Sequence, residues 1–190
     1  SPFDKYLNGN KSALNSNQIK GMKLFYGKAN CSSCHSGSLL SDQKFHSIGI
    51  PQFGPGRTRP FDPYARDVGR MAETDDLNDM YKFKTPALRN VSLTAPYGHN
   101  GAYPTLKGII KHHLNPTEMN KNWKPEYANL PKAPWLEQID FVTFSDKREQ
   151  DRIISSIDIE PVDLNDKAFY QLVSFLESLT GVIGNTRPLG

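Results

Sequence analysis

Cys31-Ser32-Ser33-Cys34-His35 is the stretch that decides how this sequence is read. Its two cysteines are the only ones in 190 residues, so there is no disulfide framework and whatever they do they do together. Three residues apart, the thiols lie one helical turn from each other. That separation suits the two vinyl groups of a porphyrin, and the adjacent imidazole of His35 then comes up under the iron. The pattern reads as covalent attachment of one haem. A redox dithiol would use the same cysteine pair, but it has no need of His35 and prefers a βαβ setting that the sequence does not offer. A structural zinc site needs four ligands, and no second cysteine pair exists to close it.

Upstream of the pair, Ser16 is placed to cap an amphipathic helix with Ile19, Met22, Leu24 and Phe25 near one face, running to about Ala29. This helix delivers the chain to Cys31, and residues 1–15 read as an extended lead-in. Downstream, from Ser36 to about Gly101, periodicity is weak and breakers are frequent: Pro51, Gly54, Pro55, Gly56, Pro60 and Pro63. A long irregular wrap is expected there. Such a wrap needs something to pack on, and an apolar macrocycle serves. A second helix is expected over Thr105 to Leu114, after Pro104. A third runs from about Asn165 to Thr180, with Phe169, Leu172, Val173, Leu176 and Leu179 on one stripe and Gly181 closing it. Between them, residues 115–162 carry Trp123, Trp135, several prolines and the charge run Asp146 to Arg152. This segment reads as a surface excursion with solvated charges and packing tryptophans.

Composition removes several function classes. Lys and Arg number 23 against 20 Asp and Glu, a net +3 scattered along the chain, which is not the basic stripe of a nucleic-acid protein. A hydrophobic fraction of 37% with 14 Gly and 14 Pro describes a polar, loop-rich globular chain and excludes fibre and coiled coil. No apolar run of about 18 residues occurs, so no membrane span is expected. The opening SPFDKYLNGN has no initiator Met, basic start or apolar stretch, so no signal peptide is visible and Ser1 reads as a processed or artificial end. The length suits one domain, 1–190, mostly α, of cytochrome-c type with long irregular loops.

The residue on the opposite face of the iron is sought in the second helix. His113 follows Leu106, Ile109 and Ile110 by seven, four and three residues and so is expected on their inward face. His112 is rotated by about 100° toward Thr105 and Gly108, where a solvated or capping role is the ordinary reading. His113 is therefore the favoured second axial ligand. His46, His99, Met71 and Met119, all expected in loops, stay open as rivals. His99-Asn100-Gly101 reads as a turn near the haem edge, and Arg89 as a structural or propionate-pairing cation, since Arg is not an acid-base group.

The stretches SPFDKYLNG, GMKLFYGKANCSSCHSG, DQKFHSIGIPQFGPG, DVGRMAETDD and FKTPALRNVSLTAPYGHNGAYPTLKGIIKHH closely resemble the C-terminal haem domain of bacterial di-haem cytochrome c peroxidases and of the related methylamine-utilization enzyme MauG. The resemblance runs from about Ser1 to His113 and resumes weakly over Glu160 to Gly181. It implies two haem domains in the whole enzyme: an N-terminal one that meets hydrogen peroxide and a C-terminal one, like this chain, that stores or relays an electron. The partners implied are that second haem domain or chain and a redox donor protein. In the peroxidases a Met, and in the MauG branch a Tyr, occupies the place that His113 holds here, a departure that supports ligation by His113. The resemblance also implies a calcium ion between the haem domains, held here by the backbone carbonyls of Thr85 and Ala87. Covalent haem attachment is completed outside the cytoplasm, so a periplasmic location is expected. A free-standing monohaem electron carrier or haem-based sensor is the alternative function.

Overall fold

The computed structural model describes residues 1–54, 66–130, 133–135 and 139–181; the breakers Pro55, Gly56, Pro60 and Pro63, and Pro131 of the surface excursion, lie outside them. The described residues form helices α1 (Pro2–Leu7), α2 (Ser16–Tyr26), α3 (Met71–Thr74), α4 (Leu106–Leu114), α5 (Pro116–Lys121), α6 (Val142–Ser145), α7 (Lys147–Ser155) and α8 (Asp166–Glu177). A two-stranded antiparallel sheet joins β1 (Phe45–His46) to β2 (Phe83–Lys84), with Phe45 opposite Lys84 and His46 opposite Phe83. The architecture is mostly helical, as the sequence predicts, with short 3-10 turns through the connecting segments. What the sequence reads as one domain is built from two compact units: Ser1–Asp42 with Ala87–Thr94 and Leu164–Gly190, and Gln43–Pro86 with Ala95–Asp163.

In the first unit α2 packs along α8. The approach is close because position 21 is a glycine: a Cβ there would lie 2.8 Å from the Cβ of Phe175. Around this contact Phe3, Phe25 and Phe175 form an aromatic cluster with ring centroids 5.2–5.3 Å apart. All three are at most 2% exposed. The apolar stripe expected on the third helix is the buried face of α8, and Leu179 just beyond its end is buried too. Two expectations change here. The lead-in is not extended: Ser1 and Asp4 form a reciprocal cap that starts α1, which buries Phe3. The cap of α2 is Asn15, not Ser16; Asn15 Oδ1 accepts from the Gln18 N–H while Gln18 Oε1 accepts from the Asn15 N–H. The helix stops at Tyr26, ahead of the expected end.

In the second unit the segment 115–162 is more than a surface excursion. Asn115 ends α4 and caps α5 through the Glu118 N–H. Trp123 is 4% exposed, donates from Nε1 to the Ala102 carbonyl at 2.8 Å and stacks on Phe53 at 5.0 Å. Trp135 is the exposed one of the pair. Within the charge run Asp146 to Arg152, Glu149 and nearby Ile153 are buried on the inner side of α7. The run is amphipathic, so one of its charges is taken into the interior and must be paired there.

Candidate haem-binding site

The cysteine motif sits immediately beyond α2. Asn30, in the left-handed conformation at φ +51, turns the chain into a 3-10 helix over Cys31–Ser33. The His35 N–H then donates to the Cys31 carbonyl at 2.9 Å, which closes the helical turn that the spacing demands. Cys31 and Cys34 are thiols that are not joined to each other. Burial pushes the Cys31 thiol up to about 12, the effect of the nearby Cys34 adding to it. A catalytic dithiol requires a depressed thiol pKa. Burial moves the Cys31 thiol in the opposite direction from the attacking thiol of a redox pair.

His35 is oriented by backbone. Its Nδ1 lies 3.0 Å from the carbonyl oxygen of Leu40. Only an N–H can meet that oxygen, so the proton sits on Nδ1 and the lone pair on Nε2, the arrangement that a ligating imidazole needs. The loop that presents this carbonyl is pinned at several points: Leu40 N–H to the Gly37 carbonyl, Ser41 N–H to the Ser36 carbonyl and Asp42 N–H to the Cys34 carbonyl. Leu40 itself holds φ +53 with its side chain 1% exposed. A non-glycine residue keeps such a backbone only where packing over-determines it. Arg89 adds a further tie, donating from Nε to the Ser38 carbonyl at 2.8 Å and from Nη1 to Asp4 at 2.6 Å. Of its two expected roles, the structural one is the one on view.

His112 and His113 both lie in the second unit, on α4, and the structure reverses part of the expectation for them. His112 is not on a solvated side: it is 0% exposed. The Tyr103 hydroxyl lies 2.8 Å from its Nδ1, and its Nε2 lies 2.6 Å from the Ile48 carbonyl oxygen. Nε2 therefore carries the proton, and Nδ1 accepts from Tyr103. Desolvation, reinforced by His113, lowers the His112 pKa to about 3. His113 is half-buried, and burial also lowers its pKa. Its Nδ1–H donates to the Ile109 carbonyl one turn back at 2.9 Å, which leaves the lone pair on Nε2.

The rivals are placed as follows. His46 is on β1, with Nδ1 3.8 Å from Asp158. His99 stacks on Phe83 with ring centroids 3.5 Å apart and faces Asp67 at 3.9 Å. Burial pulls its pKa down to about 4 against the opposing charge of Asp67. Met71 and Met119 are helical, in α3 and α5, and not in loops. Thr85 and Ala87 fall on opposite sides of the division between the two units; Thr85 is buried, with its N–H on the Lys44 carbonyl. The residues that sequence reasoning missed are Leu40, Tyr103 and Ile48. Two of them act through a carbonyl oxygen, which any residue type can offer and no motif marks.

No protein-family model matches the chain. Relatives do. Over 128 residues the chain is 39% identical to the cytochrome-c peroxidase IdrP1 of Pseudomonas sp. (strain SCT), which covers 57% of this chain and 34% of that protein. Over 112 residues it is 43% identical to the cytochrome c peroxidase Ccp of Escherichia coli (strain K12), covering 58% of this chain and 23% of that one. Over 147 residues it is 30% identical to the methylamine utilization protein MauG of Methylophilus methylotrophus, covering 75% of this chain and 40% of that one. The chain thus spans well under half the length of these relatives. Among solved structures, a MauG-like protein associated with microbial copper homeostasis matches at 27% identity with a TM-score of 0.64, over 95% of this chain and 51% of that one. The diheme peroxidase BthA from Burkholderia thailandensis E264 shares the fold at a TM-score of 0.65 and 21% identity, over 95% of this chain and 46% of that one.

Proposed function

From the premise that this chain shares the sequence and fold of the di-haem cytochrome c peroxidase and MauG family, we propose that it is an electron-relaying haem c domain of a peroxidase-type oxidoreductase. The single observation that carries the reading is the geometry at the cysteine motif. Two unjoined thiols one turn apart are followed by an imidazole whose Nδ1–H is fixed on the Leu40 carbonyl, so that Nε2 carries the ligating lone pair.

In this reading Cys31 and Cys34 would hold one haem through thioether bonds and His35 would ligate its iron through Nε2. His113, the residue of the adjacent pair that keeps its proton on Nδ1, would be the second ligand. The bound haem supplies reversible one-electron exchange between ferric and ferrous iron. The chain's own contribution is to fix two imidazole rings by backbone carbonyls and to hold the motif on a tightly packed helix. With two imidazole side chains to hold its iron, the domain would pass electrons, and the reaction with peroxide would belong to a second haem domain or chain. A redox protein donates the electrons, and the whole works in the periplasm. Among the described residues no helix is long and apolar enough to cross a membrane. In this reading the backbone carbonyls of Thr85 and Ala87 would supply two of the roughly six to eight oxygens that a calcium ion takes.

Denaturing electrophoresis followed by a haem stain tests the attachment. The protein should carry colour that Cys31→Ala together with Cys34→Ala abolishes, and loss of colour from the wild type would end the proposal. Visible spectra test the ligands. A far-red sulfur-to-iron band in the wild type would replace His113 by a methionine, Met71 or Met119.

A further inference from the structure

Tyr81 is held in an unusual way. It is 3% exposed, yet its backbone lies at φ +59, a left-handed conformation that aromatic residues rarely adopt. Neighbouring backbone pins it there. The Tyr81 N–H donates to the Val68 carbonyl at 3.0 Å, and the Arg70 N–H donates to the Lys82 carbonyl at 2.9 Å. Gly69, at φ +61, permits that approach, since a Cβ on it would meet the Lys82 carbonyl oxygen at 2.5 Å. Strain of this kind persists where surrounding structure enforces it, and it collects at functional positions.

The enforced conformation aims the phenol at a buried carboxylate. The Tyr81 hydroxyl donates to Oε1 of Glu149 at 2.5 Å. Glu149 is 4% exposed, and its other oxygen, Oε2, lies 3.1 Å from Nη1 of Arg66 and 3.4 Å from Nη1 of Arg152. Desolvation first, and the carboxylate second, raise the Tyr81 pKa, so the phenol keeps its proton. Tyr81 and Arg152 also line an open depression of about 450 Å³, together with Met80, Lys82 and Ser155.

We propose that Tyr81 and Glu149 form a proton-coupled one-electron redox site. One electron leaves the phenol for a one-electron oxidant of high potential, and the hydroxyl proton passes to Oε1 of Glu149. The products are a neutral phenoxyl radical, a neutral carboxylic acid and the reduced oxidant. Return of one electron from a small reductant brings the proton back. The site rests on the peroxidase-type reading above for the class of its natural oxidant, which would be the peroxide-oxidised centre of the second haem domain or chain and not the ferric haem of this one; the chemistry itself belongs to these two side chains.

The experiment uses the haem-loaded protein and photogenerated tris(bipyridine)ruthenium(III) as the oxidant, with freeze-trapping and electron paramagnetic resonance. The wild type should give a neutral tyrosyl signal. That signal should be lost in Tyr81→Phe and kept in Tyr170→Phe, which removes the hydroxyl of an exposed tyrosine. Glu149→Gln keeps the side-chain volume, removes the proton acceptor and should lose the signal as well. Should Glu149→Gln fail to fold, the wild type in heavy water replaces it: radical formation should slow, because the proton moves with the electron. An undiminished signal in Tyr81→Phe, no tyrosyl signal in the wild type, or no solvent isotope effect would overturn the proposal. Because the ruthenium oxidant works without help from the haem, failure here is distinct from failure of the haem stain.

Discussion

Replacement of Gly21 by Ala tests the framework that presents the cysteine motif. Exposed, such a change stabilises a helix by about 1 kcal/mol, since Gly is the weaker helix former. Gly21 is buried where α2 meets α8. An added Cβ would fall on the Gln171 carbonyl group, 2.6 Å from its carbon, and 2.8 Å from the Phe175 Cβ. Real Cβ atoms essentially never come within 3.0 Å of such neighbours. The obstacle is helix backbone, so it cannot swing aside as the end of a side chain would. The two helices must separate, which loosens the Phe3, Phe25 and Phe175 cluster. Overpacking of a well-packed core costs about 1–3 kcal/mol and occasionally more. Because the obstacle is backbone, the upper end of that range applies, and set against the propensity gain of about 1 kcal/mol Gly21→Ala should destabilise by roughly 2 kcal/mol.

Gly108→Ala is the matched comparison. It too lies in a helix, α4, but an added Cβ there would be 3.2 Å from Cδ1 of Tyr103 and 3.3 Å from Oγ1 of Thr105, both side-chain atoms. Side chains need give only a few tenths of an ångström where Gly21 would require helix backbone to move, so Gly108→Ala should cost less than Gly21→Ala. Urea unfolding followed by helix ellipticity and by Soret absorbance measures both variants. Equal midpoints for Gly21→Ala and wild type would refute the claim that the close α2–α8 approach is held by backbone contact.

Four other outcomes are expected. Below pH 6.5 stability should fall, levelling off toward about 3, because the unfolded chain takes up protons that neutral His112 and His99, with folded values of about 3 and about 4, refuse; above 6.5 their contribution is complete. Each group gives a slope of at most about 1.4 kcal/mol per pH unit, and pH-independent urea midpoints between 6.5 and 4 would contradict this. His113→Met should raise the midpoint potential measured by spectroelectrochemistry and introduce the far-red sulfur-to-iron band, because Met with His gives a higher potential. His112→Met should do neither and should instead cost about 1–3 kcal/mol for each buried partner it strands, the Tyr103 hydroxyl and the Ile48 carbonyl. The isolated haem-loaded domain should show negligible peroxide turnover in a steady-state assay, and turnover matching an intact di-haem enzyme would mean that the second ligand is labile or misassigned.

The parts of the fold legible in the sequence were those encoded by short-range rules. The stripe of α8 could be read because Phe169, Leu172, Val173 and Leu176 repeat at helical spacing, and α4 because it follows Pro104, although Thr105 is its cap, accepting from the Gly108 N–H, and not its first residue. The lead-in was missed because its helix is short. Six residues carry too few periods to show a face, and α1 rests on its cap and on the burial of Phe3. The charge run was misjudged for a different reason. Charges usually mark a solvated face, and Glu149 is drawn inside only because Tyr81 and Arg66, distant in sequence, meet it there. In the candidate site, the cysteine motif announced its residues, whereas the device that fixes His35 is the carbonyl of a left-handed Leu40, and neither the carbonyl nor its backbone angle has a sequence signature.

The adjacent histidines show how far helical periodicity carries such an inference. Ile109 is buried, and His112 and His113 follow it by three and four residues, so each histidine is a neighbour of that residue on the apolar face. Spacing alone cannot choose between them. The choice is made by polar partners from elsewhere: a histidine enters a core when both ring nitrogens are answered, and Tyr103 and Ile48 answer those of His112. Recruiting His112 to a metal would break one of those two bonds inside the protein. His113 keeps its Nδ1–H on its own helix at Ile109 while the lone pair remains on Nε2, the same division that Leu40 imposes on His35. The proposal for His113 therefore stands on tautomer control and no longer on the helix face from which it was first read.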